Sequence, residues 1–250
     1  MSEPLKQETL ISHLVELRTR LLISVIAWLV CASIVYIFMP QILAFLTQPL
    51  ADAYEGTQQK RLIFTSLPEA FTTYLSTSMF VGFLAAFPII SAQLYRFLAP
   101  GLYQNEKRAM LPFIIAAPLL FYAGAALAYF FIFPLAWKFF VSFEINTLDL
   151  SGMAVELEAK ISEYLSLIRS IVIAFGLAFQ LPLALTLLVK SGLLSVDTLK
   201  KGRRYAIIIM LTAAAILTPP DIISQVGLFA ALYLLYECAI IASGCVAKSK

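Results

Sequence analysis

The sequence predicts an all-α integral membrane protein, and three observations lead to this fold class. First, 61% of the 250 residues are hydrophobic and only 13% are charged, whereas a soluble domain carries about 25% charged residues. Second, the apolar residues form long runs of the kind that transmembrane helices of about 20 residues require. Third, polar or proline-containing breaks separate six such runs. We therefore expect a single membrane domain, residues 1–250, with six transmembrane helices.

The six predicted helices follow an amphipathic lead-in, residues 1–20, in which leucines recur at helical spacing. Their approximate bounds are 21–39, 71–94, 110–134, 163–189, 205–217 and 222–242. Prolines lie in or beside several of these spans, where they kink or end helices. The kinks favour a curved, concave bundle. We also expect helices five and six to be short.

The fifth predicted span is too short for a full crossing. Residues 205–217 form about 20 Å of helix, against a hydrocarbon core of about 30 Å. Pro219 and Pro220 then force a turn, Asp221 is placed to cap the next helix, and Gln225 follows in its first turns. We expect this hairpin to end inside the membrane and to thin the bilayer locally.

The positive charges predict the orientation. With six spans, thirteen of the 18 Lys and Arg residues fall on the side of the chain termini, and Arg169 lies within span four. The other side holds Lys60, Arg61, Lys138 and Lys160. By the positive-inside rule, both termini are therefore expected in the cytoplasm. Arg169 is close enough to the opposite end of its span to reach outward to the headgroups.

Residues that carry enzyme chemistry are scarce. The only histidine is His13, no glycine-rich phosphate loop with its lysine is present, and the three cysteines lack metal-ligand spacing. We therefore expect no enzymatic activity, no cofactor, no metal site and no nucleic-acid partner. We consider three function classes: a peptide receptor within a translocase, a small-solute transporter and an intramembrane enzyme. A transporter needs a continuous polar pathway and an enzyme needs a catalytic pair at depth, and the predicted spans supply neither.

Two carboxylates beside the cytoplasmic membrane surface are the candidate binding residues. Glu16 shares a helix face with His13 and Arg20, and Glu106 lies in the short basic loop 95–108. Each has an ordinary interpretation, because Glu16 can pair with Arg20 and Glu106 with its basic neighbours. The alternative is that both carboxylates face one groove and bind a cationic peptide, where bidentate contacts favour arginine over lysine.

One amide is predicted near the middle of the membrane. Gln180 lies ten residues before Lys190, about 15 Å along a helix. A glutamine at that depth needs a hydrogen-bonding partner on a neighbouring helix. We expect it to hold helices together.

Taken together, the motifs of the chain resemble those of the TatC family, the core membrane subunit of the twin-arginine protein translocase. They occur in order along almost the whole chain: His13–Leu21 (HLVELRTRL), Gln48–Leu50 (QPL), Phe97–Tyr103 (FLAPGLY) with Glu106–Arg108 (EKR), Phe121–Gly124 (FYAG), Phe133–Leu135 (FPL), Phe175–Pro182 (FGLAFQLP) and Leu217–Gln225 (LTPPDIISQ). Any one of these motifs is weak alone, whereas the ordered set is highly specific.

The resemblance implies a glove-like bundle that binds signal peptides with paired arginines, carried by folded precursor proteins. By position, Glu16 and Glu106 correspond to the carboxylates that bind those arginines, and Leu17, Arg18 and Phe97 belong to the same cytoplasmic patch. The remaining motif residues are assigned to structure or partner contact: Pro49, Gln180, Pro219, Pro220, Asp221 and Gln225.

The resemblance also implies partners and an energy source. TatA- and TatB-type single-span subunits, further copies of this chain and membrane lipid are the expected partners, in the cytoplasmic membrane of a bacterium. The proton-motive force is expected to drive transport. Gln180 stands where many members carry a glutamate, and an amide does not titrate near neutral pH. A direct proton-carrying role at this position is therefore not expected.

Overall fold

The computed structural model describes residues 10–54, 61–102, 111–142, 158–217 and 222–248. Within these ranges every regular element is helical, which confirms that the fold is all-α as predicted. The helices are α1 (Leu10–Ile37), α2 (Met39–Ala53), α3 (Glu69–Leu102), α4 (Leu111–Leu127), α5 (Phe133–Val141), α6 (Ile161–Ala178), α7 (Leu181–Lys190), α8 (Val196–Lys201), α9 (Arg203–Leu217) and α10 (Ile222–Lys248). A π-helical segment, Ala128–Ile132, joins α4 to α5.

Five helical stretches in the described residues are long and apolar enough to cross a membrane. They are His13–Ile37, Glu69–Phe97, Pro112–Val141, Ile161–Lys190 and Ile222–Gly244. These stretches overlap predicted spans one to four and span six. α9 lies where span five is predicted, but its 15 residues are too few for the same length criterion. The crossing of the membrane by α9 therefore stays a prediction.

Two features of the predicted layout are wrong. The sixth helix is not short, because α10 contains 27 residues and no proline interrupts it. The segment after span one is not simply a polar connection, because it contains the 15-residue helix α2. Pro40 lies in the first turn of α2, where a missing N–H leaves no helical hydrogen bond unmade.

Helices α1 and α3 pack against each other in antiparallel directions. The indole Nε1 of Trp28 donates a hydrogen bond to the carbonyl of Met79 at 2.7 Å. Further along the same interface, a Cβ placed on Gly82 would lie 2.5 Å from the Cα of Ala32. Because such a contact is sterically forbidden, glycine at position 82 permits the two backbones to approach this closely.

The centre of the molecule is formed by α4 and α6. The ring of Phe121 is fully buried and stacks on Phe87 with 3.9 Å between ring centroids. A Cβ on Gly124 would lie 2.5 Å from the carbonyl oxygen of Phe175, which is also fully buried. The glycine of the predicted Phe121–Gly124 motif is therefore required for helix contact.

At the end of the molecule opposite the α1 N-terminal turn, two connecting segments are joined at Glu69. A parallel β-bridge pairs Ile63 with Lys160, and the carboxylate of Glu69 accepts hydrogen bonds from the backbone N–H of Thr65 at 2.7 Å and from Ser162 Oγ at 2.6 Å. Lys160 Nζ lies 3.8 Å from the same carboxylate. Glu69 is only 6% exposed and is the one charged side chain that is buried in the described residues. These contacts tie the start of α3 to the start of α6.

Candidate functional site

The beginning of α1 and the end of α3 meet at one end of the molecule. The rings of His13 and Phe97 stack there with 4.3 Å between centroids and 18° between planes. Because α1 and α3 run antiparallel, residues early in α1 lie beside residues late in α3. We call this region, defined by His13, Glu16, Arg20, Gln93 and Phe97, the α1–α3 end.

The carboxylate of Glu16 is held by an arginine of its own helix. Arg20 Nε and Nη2 both donate to Oε1 of Glu16, at 2.8 and 2.5 Å. Arg20 Nη1 also donates to Oε1 of Gln93 on α3, at 3.1 Å. The guanidinium therefore fixes Glu16 relative to α3, and the predicted i,i+4 pair is present.

The second carboxylate oxygen of Glu16, Oε2, has no hydrogen-bond partner in the described part of the chain. The Glu16 side chain is 28% exposed, so a ligand can reach it from solvent. A half-buried carboxylate with one free oxygen is suited to accept a hydrogen bond from a cationic group.

Of the other predicted residues of this patch, the structure describes three and places one of them, Phe97, against α1. Phe97 lies at the α1–α3 end, whereas Leu17 and Arg18 are exposed next to Glu16 along α1. Glu106 lies outside the described residues. The predicted convergence of Glu16 and Glu106 on one groove therefore stays a prediction.

Sequence reasoning did not identify Gln93. It lies four residues before Phe97 in α3, and this helical spacing puts both residues on the face that meets α1. That spacing was the available signal, but it is useful only once the partner helix of α3 is known. His13, Glu16 and Arg20 were correctly predicted to share a helix face.

Gln180 lies at a break between two helices. α6 ends at Ala178 and α7 begins at Leu181, with Pro182 in the first turn of α7. The amide Nε2 of Gln180 donates to the carbonyl oxygen of Ala117 on α4 at 2.9 Å. The amide thus joins two helices of this chain, as expected for a polar group among apolar helices.

Pro49 is buried inside α2, and its effect on the backbone is visible. A proline has no N–H, so the carbonyl of Phe45, four residues earlier, loses its helical donor. The hydroxyl of Tyr129 donates to this carbonyl at 2.6 Å. Pro219, Pro220 and Asp221 lie outside the described residues, and Gln225 is half-buried in α10.

A family model described as TatC, Sec-independent protein translocase protein, matches residues 12–230. The chain belongs to the TatC family. A TatC protein from Magnetococcus marinus is 45% identical over 92% of this chain and 82% of its own length. A TatC protein from Rickettsia prowazekii is 42% identical over 92% of this chain and 90% of its own. The Escherichia coli K12 TatC is 34% identical over 93% of this chain and 87% of its own.

The fold of the TatC family is also recognisable in three dimensions. A crystal structure of the twin-arginine translocase receptor TatC matches with a TM-score of 0.78 and 35% identity. The match covers 94% of this chain and 99% of that chain. The chain is therefore a membrane protein of a protein translocase family, and TatC is not a family of catalytic enzymes.

Proposed function

We propose that this chain is the receptor and core subunit of a twin-arginine translocase, and that it binds the paired arginines of signal peptides at its α1–α3 end. One observation carries the proposal: Arg20, itself bonded to Gln93, holds Glu16 by Oε1, and no described residue donates to its Oε2. The family membership supplies the context, since the relative whose solved structure shares this fold is a twin-arginine translocase receptor.

The geometry suits a guanidinium better than an ammonium group. Arg20 already neutralises part of the charge of Glu16, so an incoming ligand must offer directional hydrogen bonds as well as charge. A planar guanidinium offers several N–H donors in a fixed arrangement, whereas a lysine ammonium is a strongly hydrated point charge. Glu106 is proposed to take the second arginine of the pair.

Neighbouring groups extend the contact beyond the carboxylates. The stacked rings of His13 and Phe97 offer an aromatic face on which a guanidinium packs favourably. Leu17, 40% exposed, offers apolar contact to the hydrophobic part of a signal peptide. Arg18 is proposed to contribute to the same patch.

The remaining elements are proposed to serve assembly. We place six spans, with α9 as the fifth, in a glove-like bundle whose two termini lie in the cytoplasm of a bacterial cell. α9 exposes Ile208, Ile209 and Ile216, which provide an apolar surface for a TatB-type helix. Pro49, Gln180, Gln225 and the turn at Pro219, Pro220 and Asp221 are assigned to structure and partner contact. TatA-type subunits, further copies of this chain and the proton-motive force complete the proposed transport system.

Photo-crosslinking tests the receptor role. A photoreactive residue at Phe97 is combined with a signal peptide carrying either paired arginines or paired lysines. We expect strong crosslinks to the arginine peptide, and a loss of at least about tenfold for Glu16→Gln, because a charge-assisted hydrogen bond of about 1.5–3 kcal/mol is removed. The same measurement with Glu106→Gln, again with the photoreactive residue at position 97, extends the test to the second carboxylate.

Glu163→Gln is the matched control, since Glu163 is an exposed glutamate in the first turn of α6, at the opposite end of the molecule. It is expected to leave crosslinking unchanged. Equal crosslinking of the two peptides, or full crosslinking in both Glu16→Gln and Glu106→Gln, would overturn the proposed site.

A further inference from the structure

A cavity of about 590 Å³ lies among apolar helices, away from the α1–α3 end. Its walls come from α1, α3, α4, α6 and α9 and are mostly apolar. They include Trp28, Phe80, Phe83, Ile173 and Ile216. Such walls suit hydrocarbon chains.

Of the described residues that line this cavity, Arg169 alone is charged. Its Nη1 donates to Ser76 Oγ on α3 at 2.7 Å. Among the described residues, Arg169 takes part in no salt bridge. Ser166 and Ser170 line the same wall, so the polar groups form a small patch around the guanidinium. Within the described part of the chain, four of its five N–H donors make no hydrogen bond.

Arg169 lies close enough to the membrane surface for a lipid headgroup to reach it. Arg169 lies eight residues after Ile161, about 12 Å along α6. The stretch Ile161–Lys190, which comprises α6, the break at Gln180 and α7, contains 30 residues, at most about 45 Å of helix against a hydrocarbon core of about 30 Å. With that stretch centred in the bilayer, Arg169 lies only about 5 Å inside the hydrocarbon boundary.

The short helix α9 ends beside the same cavity. Ile216, one residue before the end of α9, lines it together with Arg169. The end of α9 and the guanidinium therefore border the same cavity. If the bilayer thins to match α9, lipid headgroups on this side descend toward Arg169.

We propose that the phosphate of a phospholipid, from the leaflet opposite the chain termini, binds Arg169, with its acyl chains lying along the apolar walls of the cavity. A guanidinium at the edge of the hydrocarbon is further stabilised when an anion pairs with it. A phosphate matches the fork of donors that the guanidinium presents. The lipid site goes beyond the receptor function and does not depend on it.

Native mass spectrometry of the purified full chain in detergent tests the lipid site. The probes are phosphatidylglycerol, diacylglycerol with the same acyl chains, inorganic phosphate, and an apolar helical peptide with one central glutamate. We expect the wild type to bind phosphatidylglycerol at least about tenfold more tightly than diacylglycerol, the ratio for loss of one charge-assisted contact. Arg169→Leu is expected to abolish this preference and Arg169→Lys to retain part of it.

Arg204→Leu is the matched control, because it removes the same charge from an exposed position at the start of α9. It is expected to leave the preference intact. Equal binding of phosphatidylglycerol and diacylglycerol by the wild type overturns the proposal without need of any variant. Unchanged lipid preference in Arg169→Leu, or Arg169-dependent binding of the free phosphate or the acidic peptide in place of the lipid, also overturns it.

Discussion

At the scale of single residues, two tyrosine hydroxyls replace the hydrogen-bond donors that prolines remove from helices. Pro49 in α2 frees the carbonyl of Phe45, and the hydroxyl of Tyr129 donates to it. Pro88 in α3 likewise frees the carbonyl of Leu84, to which the hydroxyl of Tyr122 donates at 2.7 Å. Both carbonyls lie four residues before the proline, where the missing N–H would have bonded. Tyr122 belongs to the Phe121–Gly124 motif, and its hydroxyl therefore has a structural role.

The Tyr129 hydroxyl should matter only while residue 49 is proline. In the wild type, Tyr129→Phe leaves the Phe45 carbonyl without its donor and should lower the free energy of unfolding by about 1 kcal/mol. In a Pro49→Ala background the alanine N–H supplies that donor, so the same change should cost much less. Thermal unfolding in detergent of all four members of this double-mutant cycle measures the coupling. Equal costs in the two backgrounds would contradict the pairing.

At the scale of whole elements, the contact between α1 and α3 positions the candidate site. The site residues His13, Glu16 and Arg20 belong to α1, and their partners Gln93 and Phe97 belong to α3. The same two helices also approach closely further along, where Gly82 meets Ala32. A change in that contact should therefore alter the distance between α1 and α3 at the α1–α3 end.

Gly82→Val tests this coupling. The added side chain meets the backbone of Ala32, and overpacking of this kind costs about 1–3 kcal/mol. We expect a lower unfolding temperature and weaker crosslinking between cysteines placed at His13 and Phe97. Gly244→Ala is the control, because a Cβ at Gly244 meets nothing within 4 Å. Wild-type stability and wild-type crosslinking in Gly82→Val would contradict the proposed coupling between the Gly82–Ala32 contact and the α1–α3 end.

The length of α9 gives a second prediction at this scale. Its 15 residues make about 22 Å of helix, about 8 Å short of a typical hydrocarbon core. A spin label at Ile216 should therefore lie several ångströms deeper than one at Ile37, which ends the full-length helix α1 on the same side. Power saturation with oxygen and a water-soluble nickel chelate measures both depths. Equal depths would exclude local thinning at the end of α9.

For the whole molecule, hydropathy and periodicity predicted which segments are helical and apolar, because these signals are local. They did not predict α2, whose apolar face is recognisable only when Tyr129 and Tyr164 are known to contact it. Nor did they predict the cluster at Glu69, whose partners Lys160 and Ser162 are over 90 residues away. Within the candidate site, Glu16 was predicted from its own helix, whereas Gln93 required knowledge of the neighbouring one. Long-range contacts therefore account for what sequence reasoning missed.

The predicted orientation is a property of the whole chain and is tested by labelling. Single cysteines at Leu67, Leu193 and Lys248 are introduced after Cys31, Cys238 and Cys245 have been replaced. Leu67 and Leu193 are highly exposed, so their substitution should leave the fold intact. The charge asymmetry of the loops favours the basic side in the cytoplasm. A membrane-impermeant maleimide should therefore label only Leu67→Cys in intact cells, and the other two after permeabilisation.

The same labelling experiment distinguishes six membrane spans from five. Leu193 precedes α9 and Lys248 ends α10, so the two positions share a side only if both helices cross the membrane. Labelling of Lys248→Cys but not Leu193→Cys in intact cells would mean that α9 fails to cross, leaving five spans. Labelling of Leu193→Cys but not Leu67→Cys would mean the opposite orientation. That outcome would move Glu16 to the far side of the membrane, out of reach of signal peptides arriving from the cytoplasm.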